Sequence, residues 1–288
     1  MNKKSTPFLL VLFFISFFLK SCSWFDKEVQ VPAYIYIPAY TFEASSGEGT
    51  SSHNITDAWV YVNDQKIGAF ELPAMIPVLE SGDCNIKVYA GIKLNGTAAT
   101  RAAYTFYNFF EQDVYLIPDS IISIAPHTTY LEGLTFEFIE DFETVGLVFE
   151  KTQNSDTTIN KINDPVHVFE GTSSGEIALA GSIRNCMIKT IDHYELPKTG
   201  GFSFIELNCK GTIPFVVGVY ANMVNFSTAH EIVYVTPSET WKKLYINLTP
   251  TVSRHQSALD FDIFIATGLS EEENSGKVWL DNIKLVRY

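Results

Sequence analysis

From residue 34 onward the apolar positions recur at every second residue. That is the period of a strand with one buried face, not of a helix. Tyr34-Ile35-Tyr36-Ile37 and Trp59-Val60-Tyr61-Val62 combine aromatic and β-branched side chains, which suit a pleated, half-buried surface. Asn63-Asp64 closes the second run with a turn. The pattern predicts further strands over 66–70, 76–79, 85–92, 103–109 and 113–117, with turns at Ser81-Gly82-Asp83 and Leu94-Asn95-Gly96. Pro118 to His127 reads as a connector or last strand, which places a domain boundary near residue 130. A second β series opens at Phe136 to Glu143. It continues through 168–179, 202–209, 215–220, 241–248, 261–266 and 278–286. No long amphipathic helix interrupts either series. Short strands at this spacing imply β-sandwiches, not a parallel sheet. The expectation is an all-β chain of two domains, 34–130 and 131–288.

The first residues follow another rule. Lys3 and Lys4 precede an apolar run from Pro7 to Leu19, broken only by Ser16. Its 13 residues fall short of the roughly 20 needed to cross a bilayer. The run suits the hydrophobic region of a secretory signal. Leu19-Lys20-Ser21-Cys22 resembles the lipobox of bacterial lipoproteins, although Lys20 departs from the usual small or apolar residue. The resemblance implies removal of residues 1–21, a lipid anchor on Cys22 and a tether over 22–33. An ordinary secretory signal with an accidental cysteine is the competing reading. Ser23, not Asp, follows the cysteine, which removes one inner-membrane retention cue. Asp26 and Glu28 resemble the acidic surface-export signals of Bacteroidota lipoproteins. The implied location is the outer membrane, on its periplasmic or its outer face.

Charge narrows the partners. Loss of residues 1–22 removes Lys3, Lys4 and Lys20 and no acid. Lys plus Arg falls from 20 to 17 against 33 acids, a net charge of −16. Such a surface repels phosphate backbones, so nucleic acid is excluded as a partner. Of the remaining cysteines, Cys186 and Cys209 fall within one domain and an oxidising compartment would permit a bridge. Burial as small hydrophobes is the simpler role for Cys84, Cys186 and Cys209.

Two stretches carry family resemblances. Asp57 to Gly68, with Leu72-Pro73 and Ile76-Pro77-Val78, resembles small Ig-like or carboxypeptidase-regulatory-like envelope modules. Asp141-Phe142-Glu143, the strand Trp241-Lys242-Lys243-Leu244-Tyr245-Ile246-Asn247-Leu248, and the closing Val278-Trp279-Leu280-Asp281-Asn282-Ile283-Lys284-Leu285 resemble jelly-roll carbohydrate-binding modules. The implied fold is an Ig-like β-sandwich followed by a β-sandwich jelly roll. The jelly-roll resemblance implies sugar binding and one structural calcium ion, held by Asp141, Glu143 and Asp281 with the backbone around Gly171 to Gly175. A sugar platform needs exposed aromatic faces. Trp24 lies in the tether and Trp59 in a first-domain strand, while the resemblance makes Trp241 and Trp279 core. Tyr194, Phe215, Tyr220 and Tyr234 are left to line a sheet, with Asn222 as polar partner. The bland reading of these aromatics is packing.

Catalytic patterns are missing. Glycosidases place two carboxylates roughly 5 to 9 Å apart across a bond. Glu137, Glu140, Asp141 and Glu143 instead cluster on an opening strand, and Asp260 and Asp262 share one strand face as a solvated pair would. The six histidines are scattered without metal-ligand spacing, and no Gly-x-Ser-x-Gly or phosphate loop occurs. The sequence therefore points to a non-catalytic, membrane-anchored lipoprotein that binds a glycan or an envelope protein. A structural subunit of a secretion or gliding assembly, or a glycoside-active enzyme, are the alternatives.

Overall fold

A computed structural model describes residues 30–288. Cys22, the signal segment and most of the tether lie outside the described residues. The first domain strings together ten strands: β1 (Ala33–Ile37), β2 (Thr41–Glu43), β3 (Asp57–Val62), β4 (Gln65–Glu71), β5 (Ala74–Val78), β6 (Gly82–Lys93), β7 (Arg101–Ala103), β8 (Phe110–Leu116), β9 (Ile121–Ser123) and β10 (His127–Thr129). A three-stranded sheet runs β5-β1-β9. The sheet facing it runs β4-β3-β6-β7, with β8 also paired to β6. β2 and β10 form a separate parallel pair. Alternation does what the sequence promises. Ala33, Ile35, Ile37, Val60, Ile86 and Val88 are buried between the sheets, while Tyr34 and Tyr36 face outward.

The second domain adds β11 (Thr135–Glu140), β12 (Phe149–Lys151), β13 (Asn160–Ile162), β14 (Ser174–Ala180), β15 (Asn185–Thr190), β16 (Ser203–Gly211), β17 (Phe215–Asn222), β18 (Ser227–Val235), β19 (Ser238–Asn247), the short helix α1 (Thr249–Arg254), β20 (Asp260–Gly268) and β21 (Ser275–Arg287). One sheet of six strands runs β13-β14-β21-β16-β19, with β11 also on β21. The other, of five, runs β12-β15-β20-β17-β18. β21 is long enough to pair with β14 along its first half and β11 along its second, while β16 takes its other edge. The two sheets enclose a separate apolar core. The described residues are thus nearly all β, two sandwiches in series with one short helix.

The sandwiches do not sit apart as beads. Phe204, Tyr245 and Val286 of the six-stranded sheet point out of their own domain and join the first domain's core. They meet Tyr104, Phe106 and Tyr107, with Tyr104 and Phe204 ring centres 5.2 Å apart. Here the structure corrects the strand expected over 103–109. Regular pairing stops at Ala103, and the next six residues form an irregular segment whose aromatic rings fill the seam. Their apolar spacing resembles a strand because Tyr104, Phe106 and Tyr107 are buried, while Phe109 is exposed and the backbone makes only an isolated bridge at Tyr107.

At the centre of the seam lies a fully buried carboxylate, Glu206. It accepts the hydroxyls of Tyr104 at 2.7 Å and Tyr130 at 2.8 Å. Lys243 Nζ approaches to 2.8 Å as an ion pair without the alignment of a hydrogen bond. The equally buried Lys284 donates to the carbonyl of Glu48 at 2.6 Å. Burial alone would raise the Glu206 carboxyl; the charges of Lys243 and Lys284 hold it below its ordinary value instead. Burial, reinforced by the Lys243 charge, depresses the Lys284 amine to about 8. The seam covers one outer face of the C-terminal sandwich and leaves the five-stranded sheet open to solvent.

Candidate functional site

Register decides what this open face carries. Partners across antiparallel strands share a face, so the pairs Tyr220–Asp262, Asn222–Asp260, Gly218–Phe264 and Lys189–Phe264 all project outward. Phe261, Ile263 and Ile265 alternate inward. Gly218 has no side chain, and the Phe264 ring lies in the space a Cβ would occupy, 2.3 Å from that position. Tyr220 leans across Phe264, ring centres 5.2 Å apart. Its hydroxyl reaches Met187 Sδ on the far strand at 3.5 Å. Together they form an aromatic floor crossing three strands, with Tyr220 half-buried on top.

Beside the floor stands a polar cluster. Asp262 is only 2% exposed, and a buried carboxylate persists only when paired. Its partners are Lys189 Nζ at 3.1 Å, Asn222 Nδ2 at 2.8 Å and His193 Nδ1 in close contact. Asn222 also donates to Asp260 at 2.7 Å. The hydrogen bond to Asp262 raises His193 above the ordinary imidazole value. Among the described residues, ligand atoms of His193, Asp260 and Asp262 gather within 4.8 Å of one another. An ammonium and an amide already satisfy those oxygens, so the cluster reads as a hydrogen-bonding array, fixed in place beside an apolar ring. At the end of the face an open groove of about 630 Å³ continues between Val216, Tyr234, Ala266 and Leu269.

Three of the five ligand residues expected from sequence fall on this face: Tyr220, Asn222 and the exposed Tyr234. The other two do not. Tyr194 and Phe215 point into the sandwich and are buried in its core, Tyr194 against Phe138 at 5.5 Å, so neither offers a stacking face. Lys189, His193 and Asp262 were missed. The i, i+2 spacing of Asp260 and Asp262 did place them on one face, but the Lys189, His193 and Asn222 side chains that converge on Asp262 come from other segments and have no local signature. Trp279 is buried as the resemblance implied, although on the outer side of its sheet, stacked on His167 at 4.0 Å.

The expected calcium ligands do not fit a cage. Glu143 accepts the amides of Thr172 at 2.8 Å and Ser173 at 2.9 Å. Asp141 accepts the Glu143 amide at 3.0 Å. Asp281 is buried, with its oxygens taken by the Ser174 hydroxyl at 2.5 Å and the Asn282 amide at 2.8 Å. Burial raises its carboxyl to about 6. Among the described residues the ligand atoms of Asp141, Glu143 and Asp281 do not gather within 4.8 Å of one another. Here the acids tie the opening strand and the 169–174 loop to β21. Cys84, Cys186 and Cys209 are free, buried thiols, and burial pushes Cys209 to about 12.

Comparison with solved structures returns matches of low identity and low TM-score. A family 29 carbohydrate-binding module variant is 13% identical, with a TM-score of 0.33 over 54% of this chain and 91% of its own. The family 11 module of the cellulosomal cellulase Lic26A-Cel5E of Clostridium thermocellum is 15% identical, with a TM-score of 0.37 over 52% and 94%. The enzymatically active domain of a bacteriophage CBA120 tailspike protein is 12% identical, with a TM-score of 0.37, and this chain spans 20% of it. Values this low assign no function. No protein-family model matches the sequence, and no curated protein is similar to it.

Proposed function

We propose that this chain is a non-catalytic, membrane-anchored lipoprotein that captures a glycan on the open five-stranded face of its C-terminal sandwich. The observation that carries the reading is the fixed pairing of an aromatic floor with a polar cluster: Tyr220 over Phe264, beside Lys189, His193, Asn222 and Asp262. A pyranose presents an apolar C–H face and a rim of hydroxyls. The ring supplies the first contact, and the cluster supplies both donors and acceptors for the second. Because Asp262 holds His193 and Lys189 in place before any ligand arrives, little side-chain entropy is lost on binding. The anchor on Cys22 rests on the lipobox resemblance, and the outer-membrane location rests on Ser23, in place of Asp, after the cysteine. The test is a glycan array probed with the mature chain and with Tyr220→Ala. Capture of at least one glycan by the parent, lost in the variant, supports the reading. A parent that binds no glycan, or a variant that binds equally well, overturns it.

A further inference from the structure

The first domain has an outer face that nothing among the described residues covers. In the sheet β5-β1-β9, register sets Tyr34 beside Pro77 and Ile121, and Tyr36 beside Met75 and Ser123. All six project outward, since Ile35 and Ile76 between them are fully buried. None is charged, in a protein that carries 53 Lys, Arg, Asp and Glu residues in all. Met75 is 48% exposed, Ile121 62%, and Leu79, which extends the row past Pro77, 61%. Soluble monomers rarely leave so continuous an apolar sheet face in water, and such patches mark interaction sites.

The chain itself says what lies nearby. β1 is the central strand of this sheet, and it is the segment that the tether enters. Residues 23–30 separate the proposed lipidated cysteine from Val31. Eight residues span at most about 28 Å when fully extended. Lipid on Cys22 would therefore hold this face within reach of the bilayer surface at all times. Tyrosine and aliphatic side chains suit the headgroup boundary, where one end is apolar and the other wet. Glu80, just after β5, and Asp119, in the turn before β9, flank the face at its tether end, placed to meet the ammonium of a zwitterionic headgroup.

We infer that the outward face of β5-β1-β9 rests in the headgroup region of the membrane, fixing the domain flat beside its anchor and turning the C-terminal sandwich into a defined presentation. The inference rests on the anchor reading, and the experiment separates the two. The lipidated full-length protein is reconstituted in vesicles of phosphatidylethanolamine and phosphatidylglycerol, with a nitroxide on Ile121→Cys. The same label on Ile183→Cys, on the C-terminal sandwich, serves as reference. The native thiols are buried and do not take the label. Contact of the Ile121 label with oxygen should rise several-fold over the reference, and contact with a water-soluble nickel chelate should fall by a similar factor. Equal nickel contact at both labels on vesicle-bound protein would overturn the docking and leave the anchor standing. Spin–spin broadening at Ile121 without oxygen contact would assign the face to a second copy and overturn it too. Release of the protein from vesicles would overturn the anchor, and the docking with it.

Discussion

Replacing Glu206 by Gln probes the seam between the sandwiches with almost no change of shape. The carboxylate is fully buried, and two ammonium groups, Lys243 and Lys284, share its pocket. Gln keeps an oxygen for the hydroxyls of Tyr104 and Tyr130 but removes the one negative charge that offsets both lysines. Breaking a buried ion pair from one side costs about 3–5 kcal/mol, because the remaining charge is left without a counter-ion. Lys284 can escape part of this by deprotonating, since its amine already sits at about 8. The lower end, about 3 kcal/mol, is therefore the appropriate figure at pH 7. For a chain of this size that lowers Tm by about 6–12 °C. Differential scanning calorimetry of the mature chain reads the shift directly. Glu206→Gln combined with Lys243→Met should recover much of the loss, because it removes one of the stranded charges. A single variant melting within about 2 °C of the parent would refute the claim that Glu206 neutralises the seam.

Other consequences are as direct. Gly218→Ala places a methyl group into the Phe264 ring and the His230 carbonyl, at 2.3 and 2.4 Å; overpacking of about 1–3 kcal/mol should appear in urea unfolding, and an unchanged midpoint would remove the close approach from the account. Asp262→Asn should lower the NMR titration midpoint of His193, since the hydrogen bond to that carboxylate is what raises it. In the parent, the His193–Asp262 pairing contributes stability that is present below the ordinary imidazole value and lost as pH rises through the elevated one, so the variant should lose that dependence. Chelator and added calcium should leave Tm unchanged, because the ligand atoms of Asp141, Glu143 and Asp281 do not gather within 4.8 Å of one another; a rise of several degrees with calcium would restore the ion that the sequence resemblance implied.

The strand pattern made most of this fold readable. Period-two alternation located the strands around Ile35, Val60, Val88, Val217 and Ile263, because one buried face per strand is a local property of the chain. It failed where burial was two-sided or irregular. Tyr104, Phe106 and Tyr107 read as a strand because all three are buried, yet they fill a seam between domains that no local pattern reveals. The short strands β12 and β13 and the helix α1, begun by Pro250 within its first turn, carry too few residues to show a period. The site was half legible for the same reason. Tyr220, Asn222 and Tyr234 alternate with buried neighbours and so declare their face. Phe215 stands five residues from Tyr220 on the same strand, so alternation alone turns it inward, whereas Tyr194, in the segment after β15, is turned inward by its bridge to Phe261. His193 comes from the turn after β15 and reaches Asp262 through tertiary structure alone.

The central claim, that the open five-stranded face binds a glycan, is tested most directly by mapping amide NMR shifts of the mature chain during titration with the glycan selected on the array. Perturbations at saturation are expected to centre on Lys189, His193, Tyr220, Asn222 and Asp262, with the seam around Glu206 unmoved. Perturbations centred on the first domain, or none across this face at saturation, would contradict it.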